Sequence, residues 1–325
     1  MRAIRVHQFG DPSVLKLEEV PMPEPGPGQV QVRIHAAGVN PVDTYIRAGR
    51  YGVLPTPPYT PGCDGAGTIS VLGPGVTRWK VGDRVFFHGT TQGRPHGAYA
   101  EFAVCDETKV FPLPAHTGFA EGAALGVPYA TAYQALFNRA KAKAGEIVLV
   151  HGASGGVGTA ALQLARWKGL QVIGTAGSEA GLELVRANGA HLAVSHKAAL
   201  YLDQIREAAN HGRGPDIILE MLANVNLDQD LDVIAPGGRV VVIGNRGRVE
   251  IDPRKTMSKD SSILGMSLWN ATYDELAVVY ADIVAGLEKG VLVPVIGQEM
   301  PLADATRAHE TLANTGAYGK IVLIP

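Results

Sequence analysis

The spacing of apolar and polar positions changes along this chain, and from about residue 125 two regular patterns alternate. Short runs rich in β-branched residues predict strands at 147–151, 171–175, 192–195, 217–220 and 240–243. Apolar residues that recur at helical spacing predict helices between them, at 156–168, 179–188, 201–210 and 227–234. Strands and helices that alternate in this way build a doubly wound parallel sheet with right-handed crossovers.

Residues 1 to about 120 follow a different pattern, in which proline- and glycine-rich turns separate short β-type runs. These runs predict strands at 3–6, 30–36, 67–72, 84–87 and 98–104. Near the C-terminus, a helix at 302–314 and a strand at 320–324 are predicted to return to this first domain. We therefore expect two domains, one formed by residues 1–124 and 297–325 and the other by residues 125–296. A chain of 325 residues is also longer than one ordinary core supports.

The strongest chemical signal is a glycine-rich turn between the strand predicted at 147–151 and the helix that follows it. Here the sequence reads His-Gly-Ala-Ser-Gly-Gly-Val-Gly over residues 151–158. Such a turn suits a nucleotide pyrophosphate, because missing Cβ atoms admit phosphate to the backbone and the helix N-terminus offers unpaired N–H groups. The spacing differs from the common G-x-G-x-x-G, so the strand–turn–helix context carries the prediction. We expect Ser154, Gly155, Gly156 and Val157 to contact a dinucleotide; the alternative is a turn with no ligand.

Composition and charge argue against several other classes of protein. The chain is 46% hydrophobic and 18% charged, as in soluble globular proteins. Its net charge of −2, with acids and bases interspersed, does not favour nucleic acid or an anionic membrane. The two cysteines, Cys63 and Cys105, are too few for a disulfide scaffold. The N-terminus lacks the apolar core of a signal peptide, and no segment reaches the ~18 apolar residues of a membrane-spanning helix. We expect a cytoplasmic protein without a membrane partner.

Several blocks of the sequence resemble the quinone oxidoreductase branch of the medium-chain dehydrogenase/reductase superfamily, and within it the zeta-crystallin group. The matching blocks extend from the first strand to the last and lie at 38–47, 58–62, 97–101, 149–158, 220–226 and 237–240. The resemblance implies an α/β fold, with a GroES-like β domain joined to a Rossmann domain whose doubly wound sheet is parallel. It further implies an active site in the cleft between the domains, a small-molecule quinone substrate, and a homodimer or homotetramer.

The resemblance also bears on whether the chain binds zinc. Zinc-dependent alcohol dehydrogenases of this superfamily have Cys at the position of Asn40, a His-Glu pair at Cys63-Asp64, and a second Cys near Val127. Catalytic zinc needs three protein ligands of the Cys, His or carboxylate type, which Asn40 and Val127 do not supply. The structural zinc lobe needs four cysteines, and only Cys105 lies in that region. We therefore expect a metal-free reductase in which Cys63 and Asp64 are turn and packing residues.

The end of the second Rossmann strand bears on the choice between NADPH and NADH. NAD-binding domains place an Asp or Glu there to bind the ribose 2′-hydroxyl. This chain has a small turn, Gly177-Ser178, and Glu179 is better explained as an acid in the first turn of a helix. A carboxylate would repel a 2′-phosphate, whereas Ser178 and the Gly177 backbone can hydrogen-bond one. We expect NADPH as the cofactor.

Metal-free chemistry requires positioned hydrogen-bond donors, because quinone reduction builds negative charge on oxygen. Asn40 and Tyr45, both in the matched block, offer an amide and a phenolic hydroxyl on a turn that leads into a short helix. Asp43 between them is interpreted as a structural acid of the first helical turn. Thr131 falls at the junction of the domains, where it either meets the nicotinamide ribose or caps a helix. Tyr45 either polarises the acceptor or contacts NADPH.

Further cofactor contacts are implied by the resemblance alone. His196 and Lys320 are implied as neighbours of the adenosine phosphates, with an exposed loop histidine as the alternative for His196. The other implied contacts follow later strands of the sheet and are Asn226, Ile243, Gly244, Asn245, Arg246, Met266, Ser267 and Leu268. For Arg246 the alternatives are a phosphate or substrate contact and a solvent-facing loop arginine.

These observations predict an NADPH-dependent quinone oxidoreductase. A close alternative is an alkenal or enone reductase, which uses the same cofactor to reduce a carbon–carbon double bond. The alternative of another class is a crystallin-like structural protein or a binder of AU-rich RNA, as some relatives are. The sequence does not favour RNA, since it has no stripe of Lys and Arg and no exposed aromatic ladder.

Overall fold

The computed structural model describes residues 1–89, 96–314 and 318–325, which form two compact units. The first unit contains Met1–Val127, the described part of 280–315, and Gly319–Pro325; the second contains Pro128–Val279 and Tyr318. The sequence predicted the second change of domain at residue 296, whereas the first unit resumes at Tyr280. Within the first unit the Tyr280 hydroxyl donates to the Gly126 carbonyl at 3.0 Å, and its ring lies 4.2 Å from that of Phe111.

The strands of the two units are, in chain order, β1 (Arg2–Arg5), β2 (Lys16–Glu19), β3 (Gln29–Val39), β4 (Asp64–Leu72), β5 (Arg84–His88), β6 (Phe102–Asp106), β7 (Val110–Pro112), β8 (Ile147–Val150), β9 (Gln171–Ala176), β10 (Leu192–Ser195), β11 (Ile217–Glu220), β12 (Arg239–Val242), β13 (Ser262–Gly265), β14 (Ile296–Pro301) and β15 (Lys320–Ile324). The α-helices are α1 (Pro41–Arg47), α2 (Phe119–Ala123), α3 (Gly126–Tyr133), α4 (Gly156–Trp167), α5 (Glu179–Ala187), α6 (Tyr201–Ala208), α7 (Ala223–Val233), α8 (Pro253–Met257), α9 (Tyr273–Glu288) and α10 (Ala305–Asn314). None of the helices in the described part of the chain is long and apolar enough to cross a membrane.

The sheet of the second unit has the predicted doubly wound form. Its strands are all parallel, in the order β10-β9-β8-β11-β12-β13. Counted from β8, this is the order 3-2-1-4-5-6 of dinucleotide-binding folds, in which the ligand lies at the carboxyl ends of the strands where the order reverses. That reversal falls between β8 and β11. The four residues of β8 and the four of β11 are all buried, as in a sheet covered on both faces.

The first unit is built around a mostly antiparallel sheet, in agreement with the GroES-like prediction. The strand order is β14-β15-β3-β4-β5-β7, with β6 also paired to β3, and β1 and β2 form a separate hairpin-like pair. β15 runs antiparallel to β3 with Ile321 opposite Val39. One further step in this register brings Lys320 opposite Asn40, although the two residues are far apart in the sequence.

Candidate active site and cofactor site

The glycine turn of the second unit is held by hydrogen bonds from the strands on both sides of β8. The backbone N–H of His151 donates to the carbonyl of Leu219 at 3.1 Å, and that of Gly152 to Thr175 Oγ1 at 3.2 Å. Gly152 has φ +58°, which favours glycine, and a Cβ on Gly158 would lie 2.5 Å from the Gly152 carbonyl oxygen. Helix α4 begins at Gly156, immediately after Ser154 and Gly155 in the sequence, so these residues lie at its N-terminus. This geometry fits an anionic group at the turn.

A second group of predicted cofactor residues meets at the end of β9. Ser178 is the N-cap of α5, and its Oγ accepts the Gly181 N–H at 3.2 Å. A Cβ built on Gly177 would lie 2.7 Å from His196 Nε2, and one built on Gly181 would lie 3.3 Å from Ser154 Oγ. Partial desolvation of the ring, with the nearby charges of His151 and Lys197, lowers the pKa of His196. These contacts are made by small or uncharged groups, and the Lys197 side chain also lies beside Gly177, so the surroundings suit an anionic phosphate. Glu179, as predicted, is the first-turn acid of α5.

Behind the glycine turn lies a buried cluster of His151, Glu220 and Asp230 that was not predicted from the sequence. His151 Nε2 donates to Asp230 Oδ1 at 2.9 Å and lies 3.7 Å from Glu220 Oε2. Glu220 accepts the Leu222 N–H and the Asn226 side-chain amide. Burial and the neighbouring Asp230 raise the pKa of Glu220 to about 7. A glutamate at the end of an otherwise apolar strand was the one signal that could have revealed this cluster.

The later cofactor segments lie at the carboxyl ends of β11, β12 and β13. Gly244 is the second residue after β12 and packs against the residue that follows β11. A Cβ built on Gly244 would lie 2.2 Å from the Met221 carbonyl oxygen. The Arg246 N–H donates to Asn224 Oδ1 at 2.9 Å. Asn226 lies inside α7, which begins at Ala223, four residues before the start predicted from the sequence. The remaining members of these segments are Ile243, which follows β12 directly, Asn245, whose amide donates to Gly247 O, and Met266, Ser267 and Leu268, which follow β13.

In the first unit, Asn40 is the N-cap of α1, as its turn–helix context predicted. Its backbone N–H donates to Asp43 Oδ2 at 2.9 Å, and Asp43 Oδ1 accepts the Cys63 N–H at 3.0 Å. Asp43 is thus the structural first-turn acid that was predicted, and burial raises its pKa. Tyr45, half-buried on the same helix, has no hydrogen bond from its hydroxyl to the described residues.

The side chain of Asn40 belongs to a buried polar cluster. Its Nδ2 donates to Asp64 Oδ2 at 2.9 Å, and its Oδ1 accepts from Lys320 Nζ. Both oxygens of Asp64 also accept the Val127 N–H at 3.0 Å, and Lys320 Nζ lies 3.7 Å from Asp64 Oδ2. Burial raises the pKa of Asp64 to about 6 against the opposing effect of Lys320.

Two residues have surroundings other than those expected. Lys320 was implied as a neighbour of the adenosine phosphates, but its buried Nζ is engaged within the first unit by Asn40 and Asp64. Thr131 lies inside α3 and is buried, so the alternative role of a helix cap is wrong. His196, by contrast, directly follows β10 as an exposed turn residue, which agrees with the alternative of an exposed loop histidine, and its ring lies beside Gly177.

The residues at the expected zinc positions do not fit a zinc ion. Asn40, Asp64 and Val127 do meet, but they bond to one another, and the Cys63 side chain hydrogen-bonds Asp43. A lysine ammonium already lies beside the only carboxylate at these positions, and a metal cation there would be repelled. The donor set also lacks the three ligands that catalytic zinc requires.

Comparisons with known proteins agree with this architecture. Residues 26–115 match the family described as alcohol dehydrogenase GroES-like domain, and residues 156–281 match the family described as zinc-binding dehydrogenase. The chain is 52% identical over 326 residues to the quinone oxidoreductase of Rattus norvegicus and 49% identical over 326 residues to that of Homo sapiens, covering 100% of this chain and 98% of each relative.

Among solved structures, the chain is similar to Escherichia coli quinone oxidoreductase complexed with NADPH. That comparison gives a TM-score of 0.89 at 30% identity and covers 100% of both chains. The two domain matches define a medium-chain dehydrogenase/reductase. Within that superfamily, the full-length similarity shows that this chain belongs to the quinone oxidoreductase family.

Proposed function

We propose that this chain is an NADPH-dependent quinone oxidoreductase that reduces ortho- or para-quinones without a metal. The observation that carries the cofactor assignment is the convergence of Ser154, Gly177, Ser178 and His196 at the end of β9. An acid that would exclude a 2′-phosphate is missing from this position, and hydroxyl, imidazole and backbone groups take its place. The relatives from Rattus norvegicus and Homo sapiens, both quinone oxidoreductases at about half identity over the whole chain, support the same assignment.

The residues proposed to hold NADPH follow the carboxyl ends of the parallel strands. Ser154, Gly155, Gly156 and Val157 would receive the pyrophosphate at the N-terminus of α4, where backbone N–H groups favour negative charge. Gly177, Ser178 and His196 would receive the 2′-phosphate. The residues proposed to contact the rest of NADPH are Thr131, Asn226, Ile243, Gly244, Asn245, Arg246, Met266, Ser267 and Leu268. NADPH, when bound, supplies the hydride for the quinone.

The proposed acceptor-binding donors are Asn40 and Tyr45. The amide of Asn40 is fixed in one orientation by Asp64 and Lys320, so it needs no reorganisation when negative charge forms on an acceptor oxygen. The Tyr45 hydroxyl is on the helix that Asn40 caps. These are preorganised donors of the kind that metal-free reduction of a carbonyl-type acceptor requires.

We also propose that the protein is a cytoplasmic homo-oligomer, either a dimer or a tetramer. Both cysteines are buried and neither forms a disulfide, as in a reducing compartment. The edge strand β13 is mostly exposed and includes Ile263 at 37% exposure, and such an edge can pair with a second copy.

Steady-state assays test the activity. A panel of ortho- and para-quinones and a panel of alkenals and enones should each be measured with NADPH and with NADH. We expect the highest kcat/KM with a quinone and NADPH. A higher kcat/KM for the enones would assign the protein to the alternative reductase class, and absence of turnover with every acceptor would contradict an enzymatic function.

A further inference from the structure

The buried lysine of the first unit has a position that the sheet register imposes. Lys320 begins β15, and the antiparallel pairing of β15 with β3 brings it opposite Asn40. Its side chain is only 4% exposed. A Cβ on Gly38 would lie 3.0 Å from Lys320 Cε, so this glycine lets the lysine side chain cross β3. The ammonium is thereby delivered into the interior and not to the surface where lysine is usually found.

The ammonium and a carboxylate together fix the amide of Asn40. The Lys320 ammonium can only donate hydrogen bonds, and it donates to the amide oxygen of Asn40. Ionised Asp64 can only accept hydrogen bonds, and it accepts from the amide nitrogen. A flipped amide would set NH₂ against the ammonium and oxygen against the carboxylate. One Nδ2 hydrogen is held by Asp64, and the second remains for an acceptor. Hydrogen bonds in such a chain polarise one another in a low-dielectric interior, which makes the Nδ2 hydrogens stronger donors.

The ammonium of Lys320 lies beside the positions at which zinc-dependent members of the superfamily have their metal ligands. The three positions at which zinc-dependent members of the superfamily have ligands correspond to Asn40, Cys63-Asp64 and Val127. Lys320 bonds to the first of these and pairs with the second. The chain therefore places a lysine side chain among the residues that do not fit zinc; burial lowers the pKa of Lys320, and the carboxylates of Asp64 and Asp43 oppose that effect and favour the ammonium.

We propose that the Lys320 ammonium supplies from the protein itself the positive charge that a metal ion supplies in zinc-dependent relatives, and that it acts on the quinone oxygen through the Asn40 amide. This proposal rests on the quinone reductase function proposed above. Lys320 is a positioning residue, since it touches Asn40 and not the reacting atoms. The resemblance to the family implied instead a contact with the adenosine phosphates, and the two roles make opposite predictions for cofactor binding.

The test is a double-mutant cycle on the full chain with Lys320→Met and Asn40→Ala. Lys320→Met should lower kcat/KM for a quinone roughly 10- to 100-fold while the Kd for NADPH stays within about twofold. In the Asn40→Ala background, Lys320→Met should change kcat/KM by no more than about twofold, because its effect passes through Asn40. Lys255→Met is the matched control. It removes a lysine that pairs with Asp228 and Asp232 in the second unit, and kcat/KM should not change.

A second variant and an NMR measurement test the proposal even if Lys320→Met is unstable or turnover cannot be measured. Removing one member of a buried ion pair is destabilising, so Lys320→Gln, which keeps a neutral donor for Asn40 Oδ1, accompanies Lys320→Met. In the wild-type chain labelled with ¹⁵N-lysine, the Nζ of Lys320 should give an ammonium signal at pH 7. A neutral amine there would overturn the proposal even if neither variant folds.

The outcomes separate this proposal from the proposed function. A wild-type chain that reduces no quinone contradicts the function before any variant is compared. With an active wild type, unchanged kcat/KM in a folded Lys320→Met protein overturns the role of Lys320. Additive losses in the cycle overturn action through Asn40. A Kd for NADPH weakened tenfold or more with kcat retained would assign Lys320 to the cofactor phosphates.

Discussion

Ser178 Oγ accepts the backbone N–H of Gly181 at 3.2 Å, so the residue proposed to bind the 2′-phosphate is also the N-cap of α5. Its hydroxyl hydrogen can still be donated to a phosphate while its oxygen caps the helix. This double use makes the position suitable for a charge test, because both Asn and Asp replace Ser well at an N-cap.

Ser178→Asp should weaken NADPH binding more than NADH binding, because it adds a like charge beside the 2′-phosphate. We expect the ratio of the two Kd values to fall by roughly tenfold, about 1.4 kcal/mol. Ser178→Asn is the control, since it keeps a side-chain cap without a charge. Fluorescence titration of both cofactors measures the ratio. An equal fall in the asparagine variant would mean that the charge is not responsible.

Tyr45→Phe separates the two roles proposed for Tyr45. Only a hydroxyl without a hydrogen bond to the described residues is removed, so the thermal midpoint should change little. If Tyr45 polarises the acceptor, kcat/KM for quinone should fall roughly 10- to 1,000-fold. If it contacts NADPH, cofactor binding should weaken at nearly constant kcat. Kinetics with quinone and NADPH varied independently distinguish these results, and no change in any parameter would leave Tyr45 as a packing residue.

The buried Glu220 should make stability depend on pH in a defined direction. Burial and Asp230 raise its pKa from 4.5 to about 7, so the folded chain binds more protons there than the unfolded chain over this range. The free energy of unfolding contributed by this group therefore falls as pH rises from about 4.5 to 7. Glu220→Gln removes this titration and resembles the protonated acid. Its stability relative to the wild type should rise between pH 5 and pH 8 in denaturant titrations, whereas a constant difference would show that Glu220 titrates normally.

The polar cluster at Asn40, Asp64 and Lys320 predicts that activity does not depend on zinc. Elemental analysis of the purified protein should find no stoichiometric zinc, and chelators should leave kcat/KM unchanged. Stoichiometric zinc together with loss of activity on its removal would show that the ammonium of Lys320 does not exclude a metal.

Much of the fold could be predicted because buried strands carry continuous apolar runs. β8 and β11 are buried throughout and were predicted within one residue, whereas the edge strands β13 and β14 are largely exposed and left no such run. The glycine turn and the Gly177-Ser178 turn were found because each combines a local motif with a strand end. The link between Asn40 and Lys320 could not be found, since it depends on the register between β3 and β15 and joins residues at opposite ends of the sequence. The pairing of His151 with Asp230 required a three-dimensional arrangement of the same kind.

Equilibrium titration of the wild-type chain with NADPH and with NADH tests the central assignment most directly. The group formed by Ser154, Gly177, Ser178 and His196, which contains no carboxylate, predicts that NADPH binds at least tenfold more tightly, about 1.4 kcal/mol. Equal Kd values for the two cofactors would contradict a 2′-phosphate site at the end of β9.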